Sequence, residues 1–113
     1  MRLVLLAIED WMRASRIDAN QPDIVAALRR LGVAVQCLHT VGAGVPDLLC
    51  SVNNCNVLIE IKDGSKAPSA QKLTPDQVAW HANWKTIVHV VNSVDQAIEV
   101  VRQYRNETRN KIG

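Results

Sequence analysis

Residues 44–62, GVPDLLCSVNNCNVLIEIK, constrain this chain more than any other stretch. Residues 47–52 and 57–62 are short apolar runs, and Asn53-Asn54-Cys55-Asn56 is the kind of polar break that reverses a chain. The reading is an antiparallel hairpin. A four-residue turn sets Asp47 opposite Lys62 and Leu49 opposite Glu60. Successive strand side chains alternate faces, so Leu48, Cys50, Val52, Val57, Ile59 and Ile61 share one face and supply the core. Asp47, Glu60 and Lys62 gather on the other. Asp47 and Glu60 then form a diagonal cross-strand pair, roughly 7–8 Å apart at the backbone and within joint reach of one ion.

Two carboxylates on one face repel, and a pKa rises unless a cation lies between them. A divalent metal with oxygen ligands is the simple remedy. Mg²⁺ commonly takes one or two protein carboxylates and fills its sphere with water and substrate phosphate oxygens. Lys62 adds a compact ammonium beside the same site. There it holds a metal-bound water, favours its deprotonation, or neutralises a phosphate. The plainer reading is a solvated strand face with an Asp–Lys pair worth about 0.2–1 kcal/mol. Spacing alone does not choose between the two.

The order of further motifs does. Pro46-Asp47, twelve residues, then Glu60-Ile61-Lys62 resembles the signature of the PD-(D/E)xK phosphodiesterase superfamily. The fuller resemblance is to its virus-type replication-repair nuclease (VRR-NUC) family, in its small stand-alone phage and bacterial form. It runs from about residue 18 to residue 101. It takes in a helix before a glycine, Gly-Val-Pro-Asp at 44–47, Glu-Ile-Lys-Asp-Gly at 60–64, Leu-Thr-Pro-Asp-Gln at 73–77, Trp80-His81, and a closing strand and helix. The resemblance implies that Asp47 and Glu60 bind Mg²⁺ (or Mn²⁺), joined by the Ile61 carbonyl. It implies that Lys62 assists the attacking water and that Gln77 contributes from a helix. Family members often carry a Glu on the first helix, where this chain has Gln21, flanked by Asp18 and Asp23. Gln21 keeps hydrogen-bonding capacity but brings no charge.

At 113 residues the chain suits one domain. A content of 48% hydrophobic and 21% charged residues belongs to a soluble globular protein. The net charge of +2 does not by itself announce a nucleic-acid binder. Cys37, Cys50 and Cys55 cannot all pair within one chain, and no C-x-x-C occurs, so a reducing cytoplasm is expected. Cys37 and His39 share a strand face; a buried apolar cysteine is the plainer reading there than zinc. Residues 1–8 (MRLVLLAI) are too short to span a bilayer and lack a small-residue cleavage site, so no membrane segment is expected. Residues 1–17 read as an N-terminal extension with Trp11 against the body, and Met12 is an alternative start. Residues 18–105 read as the domain and 106–113 as a fraying tail.

Asn20 is the capping candidate for a first helix, with Pro22 in its first turn. Ile24, Val25, Leu28 and Leu31 repeat at helical spacing, and Gly32 stops them. Residues 33–38 read as a strand. The loop that follows carries two glycines without a nucleotide fingerprint and delivers Asp47; His39 there is a candidate phosphate contact, with packing the plainer reading. Residues 63–72 read as a mobile polar loop in which Lys66 and Lys72 are candidate DNA contacts. Thr74-Pro-Asp-Gln77 is a helix start with a capping box, which by itself accounts for Gln77. Trp80 and Trp84 lie on one face of that helix, where core or dimer-interface packing is a plainer reading than stacking on unpaired bases. Residues 86–91 read as a buried strand. Ser93 caps a final helix with Val94, Ala97, Ile98 and Val101 as its apolar stripe.

The expectation is therefore an α/β domain, a restriction-endonuclease-like mixed β-sheet flanked by helices. The expected function is metal-dependent hydrolysis of DNA phosphodiester bonds, selective for branched DNA and carried out by a homodimer, as the resemblance implies. The alternative is a DNA-binding module that keeps the nuclease fold without turnover, a reading that Gln21 sustains. A third reading, an interaction protein with a fortuitous motif, leaves the order of the motifs unexplained.

Overall fold

The computed structural model describes residues 18–112, with side chains through residue 107; the expectations for residues 1–17 lie outside it. Its elements run α1 (Gln21–Arg30), β1 (Ala34–Cys37), β2 (Leu48–Val52), β3 (Cys55–Ile61), a 3₁₀ turn (Pro68–Gln71), α2 (Pro75–Asn83), β4 (Val88–Val91) and α3 (Val94–Ile112). The strands form one sheet in the order β1-β2-β3-β4. The β1–β2 and β2–β3 pairs are antiparallel and β3–β4 is parallel. This is the expected α/β fold with a mixed sheet. No helix among the described residues is long and apolar enough to cross a membrane.

The hairpin turn is tighter than expected. Asn53 and Asn54 both take positive φ, 48° and 65°, which two-residue hairpin turns require and asparagine tolerates. Val52 then pairs with Cys55 and Leu48 with Ile59. The register is displaced by two residues from that of a four-residue turn, so Asp47 faces Glu60 directly instead of diagonally. A shift of two preserves every side chain's face. Leu48, Cys50, Val52, Val57, Ile59 and Ile61 are all buried as expected. α1 and α3 cover that face, contributing Ile24, Val25 and Leu28 from one helix and Ala97, Val100 and Val101 from the other.

α1 ends in a Schellman arrangement. Gly32, at φ 81°, donates to the Arg29 carbonyl, and Val33 donates to the Leu28 carbonyl. The chain turns away at Leu31, which is therefore exposed; Ala27 takes the expected place in the core. Asn20 does not cap α1 with its side chain. Its Nδ2 donates instead to the carbonyls of Lys62 (3.0 Å) and Asn92 (3.2 Å), tying the start of α1 to the ends of β3 and β4.

Three further expectations are corrected. β4 is a half-exposed edge strand in which Val91 alone is buried. The 63–72 segment, expected as loop throughout, holds the 3₁₀ turn, with Ser65 bonded to Asp63, Gln71 donating to the Lys66 carbonyl and Asn92 donating to Gln71. α3 continues to Ile112, past the expected boundary at 105.

α2 stands on the opposite side of the sheet from α1 and α3, because Gln77 in its first turn reaches Glu60. Gly44 permits that placement. A Cβ there would lie 2.3 Å from the Asp76 carbonyl oxygen, and its φ is 85°. Gly42 has a similar φ of 75° with open space around it. Gly42→Ala should therefore cost about 1–2 kcal/mol for backbone handedness. Gly44→Ala should cost more, because backbone must also move. Urea denaturation of both variants checks this; equal losses would mean that the close approach contributes nothing.

Candidate active site

The site grows out of the β2–β3 hairpin end. Asp47 sits just before β2, and its backbone carbonyl accepts from Leu38 N (2.7 Å). Its carboxylate Oδ2 accepts from Ile61 N at 2.8 Å, so the side chain closes the ladder where the strand stops. Glu60, on the neighbouring strand and the same face, is 2% exposed. Lys62 follows two residues later, 9% exposed. Burying such groups is costly unless each finds a partner.

Gln77 supplies the partners. Its Nε2 donates to Glu60 Oε1. Its Oε1 accepts from Lys62 Nζ (2.7 Å) and from the backbone N–H of Thr74 (2.9 Å). Thr74 Oγ1 in turn accepts from Gln77 N, completing the capping box expected from the sequence. Capping and site-building are thus one arrangement of a single amide. His81, one turn further along α2, has an Nε2 that is buried without a hydrogen-bond partner. Burial first and then Lys62 hold its imidazole below the ordinary histidine pKa.

Asp18, Asp47, Glu60, Ile61, Lys62, Thr74 and Gln77 line one cleft of about 270 Å³. Asp18 is the residue that sequence reasoning noticed without assigning. Asn20's bridge to the strand ends brings it to the rim, where burial and then Asp47 raise its carboxyl pKa. The signal for it was a carboxylate just ahead of a helix start. Gln21 is elsewhere. It is 2% exposed, with Nε2 3.5 Å from His39 Nδ1, and both residues line a separate hollow with Cys37 and Arg29. Lys66 is exposed and acts on Asp18 only through its charge; Lys72 is exposed.

Glu60 Oε2 is buried with no donor facing it. Burial, then hydrogen bonding to and repulsion by Asp47, push the Glu60 carboxyl from 4.5 up to about 9, against an opposing pull from Lys62. A proton on Glu60 supplies the missing donor toward Asp47. A hard divalent cation answers the same need, since the apposed oxygens of Asp47 and Glu60, the Ile61 carbonyl and the Asp18 rim are all oxygen donors. Among the described residues no three His, Cys, Asp or Glu side chains form a closed metal cage. The donor set fits an ion of the Mg²⁺ type, which keeps several waters, better than a zinc site.

The Glu60 pKa is higher in the folded protein than in the unfolded chain. Its proton therefore contributes stability that is fully present below about pH 4.5 and lost as pH rises through about 9. In EDTA, the wild-type Tm should fall relative to that of Glu60→Gln across this window, and Mn²⁺ at pH 8 should raise only the wild-type Tm. Parallel Tm profiles would remove Glu60 as the titrating group.

Comparison with protein-family models, with curated proteins and with solved structures gives no match.

Proposed function

We propose that this protein is a Mg²⁺- or Mn²⁺-dependent DNA endonuclease of the PD-(D/E)xK type that its motifs resemble, acting on branched DNA. The observation that carries the reading is the convergence of two apposed carboxyls and a buried lysine on one amide, Gln77, in one cleft. A structural ion pair has no need of that arrangement, because Lys62 bonds the neutral amide while Glu60 keeps an unused oxygen.

The residues divide the work. Asp47 and Glu60, with the Ile61 carbonyl, hold the cation, which when bound neutralises phosphate charge and makes a ligated water more acidic. Lys62 has three donors and spends one on Gln77. The other two are available to the attacking water and to a non-bridging phosphate oxygen. Gln77 positions both partners: it fixes the Lys62 ammonium and holds Glu60 Oε1, so that Oε2 faces Asp47. Asp18 at the rim accepts from a second water.

A domain this small has little surface with which to grip a duplex, and a homodimer pairing two such clefts suits junction DNA. The three free cysteines suit a reducing cytoplasm.

Cleavage of linear duplex, flap and four-way-junction DNA in Mg²⁺, Mn²⁺ and EDTA tests the proposal. Cutting should require the metal, and Asp47→Ala, Glu60→Ala and Lys62→Ala should each lower the rate by about 10²-fold or more. Binding without cutting in every metal would instead identify a DNA-binding module on a nuclease fold.

A further inference from the structure

α2 carries a feature that the hydrolytic chemistry does not use. Trp80 and Trp84 are stacked, with ring centroids 4.4 Å apart and planes 18° from parallel. No residue of α2 is buried, and Trp84 is 48% exposed. Packing of this pair in the core is thereby excluded. The inner ring, Trp80, is half-buried and meets His81 edge-on at 6.3 Å. Trp84 also borders a hollow of about 320 Å³ formed with Asn83, Lys85 and Thr86, a lining with one positive charge and no negative one.

The position of the pair matters as much as its exposure. Gln77 and Trp80 are spaced i, i+3 on α2, and Trp84 is its C-cap, with its N–H still bonded to the Trp80 carbonyl (3.2 Å), so the three follow one stripe. At 1.5 Å per residue, Trp84 lies about 10 Å along the helix from Gln77. The aromatic platform therefore shares a face with the residue that reaches into the cleft.

We propose that the Trp80–Trp84 stack, with Lys85 beside it, is a subsite for an unpaired nucleobase of the DNA strand held in the cleft. The inference rests on the nuclease reading and narrows its substrate to DNA carrying single-stranded nucleotides close to the scissile phosphate. Every base has a π-face, so an exposed indole accepts bases without regard to sequence. The platform is already stacked, so little ordering is needed on binding. Lys85 supplies the charge that a phosphate beside the stacked base requires.

Fluorescence anisotropy in EDTA, comparing a short oligothymidylate with its abasic analogue, tests the subsite without cleavage. Wild type should prefer the base-bearing strand by about five- to a hundredfold. Trp84→Ala should abolish that preference, and Trp84→Phe should retain most of it. Lys85→Gln should weaken both strands equally and reduce the salt slope by about one. Circular dichroism of each variant confirms that it is folded. Equal affinity of wild type for both strands, or a preference unchanged in Trp84→Ala, overturns the inference. A wild-type dimer that Trp84→Ala dissociates while base preference is absent gives the surface to a second copy and also overturns it. Plasmid cleavage in Mn²⁺, run in parallel, separates the two readings. Cutting without base preference sinks the subsite alone. Base preference without cutting sinks the nuclease and leaves the platform to a binding module.

Discussion

Two buried charged groups and the first N–H of a helix are held together by the Gln77 side chain. Glu60 at the end of β3 and Lys62 just past it are removed from water, and Thr74 begins a helix whose first N–H groups need acceptors. One amide meets all three, donating to the carboxyl and accepting from the ammonium and the backbone. Breaking a buried pair by removing one partner generally costs more than the pair contributes, because the survivor is stranded. Removing Gln77 therefore strands Glu60 Oε1 and Lys62 Nζ together.

Glycine at 44 and asparagine at 20 matter for the same reason. Neither touches the cleft, yet Gly44 lets the Asp47 loop lie against the first turn of α2, and Asn20 ties the start of α1 to the strand ends. Together they fix the distances over which Gln77, Asp47 and Asp18 converge. The core beneath, from Ile24 to Val101, sets the sheet that carries Glu60.

Much of this was legible in the residues. Period-two alternation identified the buried face of the hairpin, and Thr74-Pro-Asp-Gln77 identified a capped helix, because both signals are local. The pairing register was not legible, since Asn53–Asn54 and a longer asparagine-rich turn serve equally well until the strands are aligned. The error left the site intact because a displacement of two residues keeps each side chain on its face. Asn20 was misjudged for a different reason: its side chain chose carbonyls at positions 62 and 92, contacts that no neighbouring residue signals. The apolar residues of α2 and β4 looked like core because composition cannot distinguish an exposed apolar surface from a buried one. Gln21, the position to which the resemblance points, lines a separate hollow, whereas Asp18, three residues earlier, lines the cleft with Asp47 and Glu60.

α2 contributes nothing to the buried core, although it carries the residue on which the site depends. Its first turn is fastened at Gly44 and Gln77, Trp80 and His81 are half-buried beyond it, and Val78 and Trp84 are exposed. Stability and specificity are thus written on separate parts of the chain. The exposed residues of this helix and its end, Val78 and Trp84 among them, can change without disturbing the buried core, so the fold can acquire new preferences for what lies beside the cleft while its chemistry stays in place.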